Sequence, residues 1–291
     1  MITFPTVGVV GLGLIGGSFA RALKAGGRKV MGTTRRESSV LLAQMEGAID
    51  IVAAPADLAQ CDIVILALPP GATVEFLEKH GSCFSNKNIV VDICGIKRSV
   101  CEKAWQIAAE NGFEFIGGHP MAGKEKSGFK YSSAQLFNGA SMILTFRELP
   151  SLEHLVELKQ FFLSLGFGKV VLSNPSEHDR IIAHTSQLAH ILSAAYVRGR
   201  TAMDHAGFAA GSFRDMIRVA SMDPALWSEL FIGNRDNLAG EISELMVNLA
   251  LFRDAIAAGD SKTLSCLLDE SAGLKSKIDA QRAAKPENAV K

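Results

Sequence analysis

The stretch Phe115-Ile116-Gly117-Gly118-His119-Pro120-Met121-Ala122-Gly123-Lys124-Glu125-Lys126-Ser127-Gly128 sets one imidazole between two glycines and a proline, directly after an apolar run. The glycines and the proline give such a segment a definite shape, and an imidazole titrates near neutrality. A histidine held this way can take a hydroxyl proton while hydride leaves the same carbon. A lone loop histidine is more often merely hydrogen-bonded, so the chemistry needs a hydride acceptor close by.

The start of the chain supplies a place for one. Val7-Gly8-Val9-Val10-Gly11-Leu12-Gly13-Leu14-Ile15-Gly16 reads as a strand, a GxGxxG turn and a helix start. Gly11 permits the tight turn, Gly13 lets backbone approach a pyrophosphate, and Gly16 lets helix pack on strand. Leu14 and Ile15 open the helix, whose free N–H groups and positive dipole end suit phosphate. The choice of dinucleotide depends on the end of the second strand, where NAD sites usually carry an acid. Here it reads Thr33-Thr34-Arg35-Arg36, with no acid until Glu37. A Thr34 hydroxyl followed by Arg35 and Arg36 suits a 2′-phosphate, which favours NADP over NAD; the plain alternative is two solvated arginines.

These groups need a scaffold. Val7–Val10, Lys29–Thr33, Ile63–Leu68, Ile89–Asp92 and Phe113–Ile116 read as strands, with helical patterns between them such as Thr73–His80 and Val100–Asn111. Continuous apolar strands alternating with helices predict a Rossmann-type, doubly wound α/β domain over residues 1–172. Ligands of such sheets bind beyond the carboxyl ends of the strands, which puts His119 near the cofactor. Beyond residue 172 long helical periods take over: Ser176–Arg200, Ser212–Ser221, Pro224–Ala257 and Ser261–Gln281. Residues 173–291 are therefore expected to form an all-helical domain. Asn174-Pro175-Ser176 marks its start, with Asp179 as a capping-box acid, and Asp223-Pro224 marks another helix start. The polar tail Ala283–Lys291 is expected to fray. Leu245, Val247, Leu249, Leu251 and Phe252 make one helix apolar on several faces, which predicts burial in a homodimer.

Composition narrows the class. The chain has 291 residues, 30 Lys and Arg against 30 Asp and Glu, 48% hydrophobic residues and 21% charged ones. That is ordinary globular composition, long enough for about two domains. A zero net charge offers no bulk basic excess for nucleic acid. Five cysteines without paired spacing make no disulfide framework, and no Cys/His cluster has metal-ligand spacing, so no metal is expected. The longest apolar run, Ile63–Pro70, is too short to span a bilayer, and Met1–Val10 lacks the features of a signal peptide. A soluble cytoplasmic enzyme is the expectation.

Four motifs together resemble the prephenate/arogenate dehydrogenases of tyrosine biosynthesis: Gly11–Ser18, Gly117–Gly128, Ser186–His190 and Gly211–Trp227, in family order with family-like gaps. The resemblance covers nearly the whole chain and is most specific in the second and fourth motifs. It implies oxidative decarboxylation of prephenate to 4-hydroxyphenylpyruvate, or of arogenate to tyrosine. His119 would accept the C4 hydroxyl proton as hydride leaves C4. Arg218 matches an arginine associated with a substrate carboxylate, and Asp215, three residues earlier on a helix, can reach it. Glu125 matches an acid of the same ionic network. His190 matches a histidine associated with substrate binding.

The chain also departs from the family. Gln187 and Ala189 replace a histidine and a proline in the pattern around His190, which leaves prephenate against arogenate open. Gly95 stands where many relatives carry a serine that binds the C4 hydroxyl, in Asp92-Ile93-Cys94-Gly95-Ile96-Lys97. Gly95, Gln187 and Lys97 are thus near-site candidates, while Cys94 reads as a buried thiol and Trp227 as core. His178, in Glu177-His178-Asp179, reads as structural; His80, His154, His184 and His205 carry no functional assignment. A β-hydroxyacid dehydrogenase would use a second-domain lysine, and none occurs between Lys169 and Lys262. A non-catalytic dinucleotide sensor would be expected to lack the His119 or Arg218 motif.

Overall fold

A computed structural model describes residues 3–204 and 206–283; His205 and the tail expected to fray lie outside these residues, apart from Ala283. The strands are β1 (Thr6–Val10), β2 (Lys29–Thr33), β3 (Ile51–Val52), β4 (Ile63–Leu66), β5 (Ile89–Asp92), β6 (Glu114–Pro120), β7 (Ser141–Thr145) and β8 (Lys169–Ser173). They form one sheet in the order β3-β2-β1-β4-β5-β6-β7-β8. Only the β6–β7 pair is antiparallel. Among them run α1 (Leu14–Ala25), α2 (Glu37–Met45), α3 (Pro70–His80), α4 (Arg98–Asn111) and α5 (Leu152–Leu163).

The central strands are buried on both faces, which is why they read as unbroken apolar runs. Alternate residues serve opposite layers. Ile63 and Ile65 pack with Phe19 and Leu23, whereas Val64 and Leu66 pack with Leu77 and Phe84. The chain winds from β1 to β3 in one direction, and β4 then returns to the other side of β1. That reversal opens a crevice at the carboxyl ends of β1 and β4, the place where such folds bind nucleotides.

β3, β7 and β8 are additions to the sequence reading. β3 is two exposed residues, and β8 is a half-exposed edge strand whose apolar run, Val170–Leu172, is short. The segment around His119 is also more regular than a loop: β6 continues through Gly117-Gly118-His119-Pro120, paired with Thr145 back to Met142.

The helical half comprises α6 (Pro175–Ile182), α7 (Ala189–Tyr196), α8 (Gly211–Ile217), α9 (Pro224–Gly233), α10 (Arg235–Ala258) and α11 (Ser261–Ala283). Two helices expected as continuous are interrupted. A π-helical turn, Ala183–Leu188, separates α6 from α7, and Asn234 separates α9 from α10. Asn234 is fully buried, and its side chain makes hydrogen bonds that a straight helix would not allow it. Helix starts follow the expected chemistry at Asp223, which accepts the Leu226 N–H at 2.9 Å. At the start of α6 the cap is Asn174, accepting the Glu177 N–H at 2.9 Å, and Asp179 is turned to another task. The architecture changes from sheet to helices between Ser173 and Pro175, but the packing divides elsewhere. One compact unit runs to Leu238 and so holds α6–α9 with the sheet; the second begins at Ala239 with the rest of α10 and α11.

Candidate active site

The glycine turn leaves room only on one side. Gly11 has φ +92°, and a Cβ there would stand 2.3 Å from the Ala67 carbonyl oxygen at the end of β4. A Cβ on Gly16 would stand 1.9 Å from the Gly11 carbonyl oxygen, whereas one on Gly13 meets nothing within 4 Å. Gly11 and Gly16 are thus closed against the protein, and Gly13 is open. The first turn of α1 carries no acidic residue and no side-chain cap, so the N–H groups around Leu14 and Ile15 stay available to an anion. Beyond β2, Thr34 is half-buried, while Arg35 and Arg36 are exposed and make no ion pair among the described residues. Cradle and cations together fit a dinucleotide.

The imidazole of His119, half-buried at the end of β6, meets a second histidine. His119 Nδ1 lies 2.9 Å from His178 Nε2, and His178 Nδ1 lies 2.7 Å from Asp179 Oδ1. Asp179 also accepts the backbone N–H groups of Lys97 at 2.7 Å and Arg98 at 2.9 Å. It therefore caps the start of α4, where a negative charge is favoured. Burial pushes its carboxyl up, but the hydrogen bonds from His178, Arg98 and Lys97 outweigh this and hold it below the usual range.

An ionised Asp179 fixes the tautomers in turn. It takes the Nδ1–H of His178, so His178 Nε2 must accept, and His119 must donate Nδ1–H to it. The lone pair of His119 then sits on Nε2. Burial, then His178, then the charge of Lys97 hold the His119 imidazole well below its ordinary range, which favours the neutral, unprotonated ring. His178, read as structural in the sequence, is the hydrogen-bond partner that orients His119. The adjacent pair His178-Asp179 at a helix start was the available signal; its partners lie 59 to 82 residues away in the chain.

The other expected site residues divide into two groups. Arg218 sits on a 3₁₀ turn just after α8 and forms an ion pair with Glu125, six residues beyond His119. Asp215, expected to orient Arg218, is exposed and makes no ion pair among the described residues; the orienting acid is Glu125. His190 donates Nδ1–H to the Ser186 carbonyl at 2.9 Å and stacks on Trp227, ring centroids 3.9 Å apart. Its Nε2 makes no hydrogen bond among the described residues, and Trp227 is half-buried beside it rather than enclosed in the core.

Gln187 and Gly95 are placed differently. Gln187 is buried; its amide donates to the Leu230 carbonyl at 3.2 Å and accepts from Asn234 at 2.8 Å. It is engaged in joining the π-helical turn to α9 rather than free to meet substrate. Gly95 also faces Leu230, whose Cδ2 would be 3.2 Å from an added Cβ. The two departures from the family pattern thus converge on one leucine. Cys94 is buried against Thr73 and Leu68, and burial pushes its thiol well above the ordinary value.

A dinucleotide cradle at the switch point of a doubly wound sheet, with an oriented imidazole at the end of β6 in the same sheet, defines a nicotinamide-dependent oxidoreductase. Family models agree in detail. Residues 19–172 match the nucleotide-binding domain of prephenate dehydrogenase, and residues 174–270 match its dimerization domain. The chain belongs to the prephenate dehydrogenase family. It is 30% identical over 269 residues to the prephenate dehydrogenase of Bacillus subtilis, covering 89% of this chain and 72% of that protein. The structure of prephenate dehydrogenase from A. aeolicus, in complex with hydroxyphenyl propionate and NAD+, superposes with a TM-score of 0.84 at 28% identity, covering 95% of this chain and 99% of that one. Synechocystis arogenate dehydrogenase superposes with a TM-score of 0.79 at 29% identity, covering 94% and 99%. No described helix is long and apolar enough to cross a membrane.

Proposed function

We propose that the protein oxidatively decarboxylates prephenate to 4-hydroxyphenylpyruvate in the cytoplasm, as a step of tyrosine biosynthesis, with NADP preferred to NAD. The observation that carries the reading is the His119–His178–Asp179 chain, which leaves a lone pair on a neutral imidazole beside the cofactor crevice. His119 Nε2 takes the C4 hydroxyl proton, and the imidazolium so formed is stabilised through His178 by Asp179. A dinucleotide whose pyrophosphate rests on the Gly11–Gly16 turn would supply its nicotinamide as the hydride acceptor. Arg218, steered by Glu125, grips a substrate carboxylate, and His190 on Trp227 offers a second polar contact. Loss of the ring carboxylate as CO2 makes the ring aromatic, so the protein has to orient the substrate and remove one proton. Thr34, Arg35 and Arg36 suit the 2′-phosphate. Residues 173–291 serve substrate grip and homodimerisation through the helices.

The test is the absorbance of reduced nicotinamide on mixing the protein with prephenate or arogenate and either cofactor. The highest kcat/KM is expected with prephenate and NADP. A higher value with arogenate would reassign the substrate, and a higher value with NAD would remove the arginine argument. No signal in any combination would leave a dinucleotide-sensing protein without turnover.

A further inference from the structure

The floor beneath His119 contains a second charged pair that the chemistry above does not use. Asp92, at the end of β5, and Lys97, before α4, form an ion pair, and both side chains are fully buried. Burying a lysine is expensive unless it is paired and its partner is hydrogen-bonded. Here both conditions hold. Asp92 Oδ2 takes the Lys97 ammonium and the Cys94 N–H, the latter at 2.8 Å, and Oδ1 takes the Gly118 N–H at 3.1 Å. Gly118 is the residue before His119.

Lys97 also acts through its backbone. Its N–H goes to Asp179 Oδ1, the atom that holds His178. The lysine stem passes under Gly117, where an added Cβ would come 3.1 Å from Lys97 Cδ and 2.2 Å from Thr145 Oγ1. The two glycines before His119 are therefore spaces that the ion pair and its neighbours require. Lys97 joins both supports of the base: its side chain reaches β6 through Asp92, and its backbone reaches His178 through Asp179.

We infer that the buried Asp92–Lys97 ion pair positions the base, holding the end of β6 in register with the His178–Asp179 pair and setting a permanent cation under the imidazole. The inference rests on the reading of His119 as the proton acceptor. Being fully enclosed, Lys97 meets no substrate and acts through its neighbours. The groups acting on the imidazole are His178 on α6 and Lys97 before α4, with Asp179 on α6, Asp92 on β5 and Arg98 on α4, against Asp179, standing behind them. Whereas Arg98 is partly exposed and shared between Asp179 and Asp236, Lys97 is the fully buried cation of this set. It adds to burial in opposing protonation of His119.

Replacing Lys97 alone strands a buried carboxylate and can abolish folding, so the informative variant is Asp92→Asn/Lys97→Met, which removes both charges at similar volume. The readouts are the thermal transition, kcat, the KM values for cofactor and prephenate, and the pH dependence of kcat/KM. We expect a folded double variant with a cofactor KM within about twofold of wild type and a kcat lowered at least about tenfold by misplacement of the base. We also expect the acid limb to move up by at least about half a pH unit, because at the two histidines the opposing charge of Lys97 outweighs that of Asp92, removed with it. Lys97→Arg, which keeps the charge, should return the limb to its wild-type position. A folded double variant with wild-type kcat and an unmoved limb would overturn the inference, as would a limb that stays displaced in Lys97→Arg. His119→Asn is the separate control: if it kept wild-type kcat, the base assignment itself would fail, whatever the double variant did.

Discussion

At the scale of single residues, the site is organised around keeping one imidazole uncharged. Burial comes first, followed by His178 and Lys97, in lowering the affinity of His119 for a proton, and burial also lowers that of His178 against the pull of Asp179. The sign for catalysis follows directly. A base must be unprotonated, so kcat/KM for prephenate should be level through neutral pH and fall only as pH drops below the ordinary imidazole value of 6.5. A pH profile of kcat/KM checks this, and a midpoint at or above that value would contradict the placement of His119. His119, Arg218 and Glu125 stand out in the sequence as site candidates because each lies in a motif with a distinctive run of neighbours. The contacts of His178 and Asp179 with Lys97, Arg98 and His119 do not show there, because no local spacing connects these residues. Asp215 was misread for the opposite reason. Its i,i+3 spacing from Arg218 was real, but Glu125 from a remote segment takes the guanidinium.

Among the elements, Asn234 joins the most. It stands in the break between α9 and α10, donates to the Asp179 carbonyl and to Gln187 Oε1, each at 2.8 Å, and accepts from Arg98 at 3.1 Å. Arg98 in turn pairs with Asp236 at 2.7 Å and draws its carboxyl below the usual range. Asn234→Ala would leave several buried polar groups without partners, at a cost of about 2–4 kcal/mol. A lower urea midpoint with an unchanged m-value is the expected result, and an unchanged midpoint would show the break to be incidental. Sequence periodicity ran straight through Asn234 because apolar spacing registers faces, not a side chain that turns inward to bond. The π-helical turn at Ala183–Leu188 escaped for the same reason. It inserts one residue into the helical register, which lets Gln187 turn into the packing while His190 stands against Trp227.

For the whole molecule, the second compact unit is too apolar outside to stand alone. Val247, Leu249, Leu251 and Ile256 on α10, with Leu268, Leu274 and Ile278 on α11, are each half or more exposed. Monomers rarely display so many large apolar side chains on neighbouring turns, and a stable dimer needs on the order of 1,200–2,000 Å² of buried surface. Sedimentation should therefore give a dimer at micromolar concentration. Val247→Glu/Leu251→Glu, an i,i+4 pair on one helix face, should give a folded monomer. A double variant that sedimented as the wild-type dimer would move the interface off this face.

The sequence by itself determined the α/β order, the dinucleotide turn, the motif that carries His119 and the apolar excess of the helices. These are written in local runs: a glycine spacing, a strand's apolar content, a motif, a helical period. Only the tertiary structure decided which acid steers Arg218, which histidine orients His119, where the compact units divide, and that Lys97 lies beneath the site. Each of those depends on hydrogen bonds or ion pairs between segments far apart in the chain. Such bonds form where a buried polar group must find a partner, and sequence spacing does not record which partner the fold brings within reach.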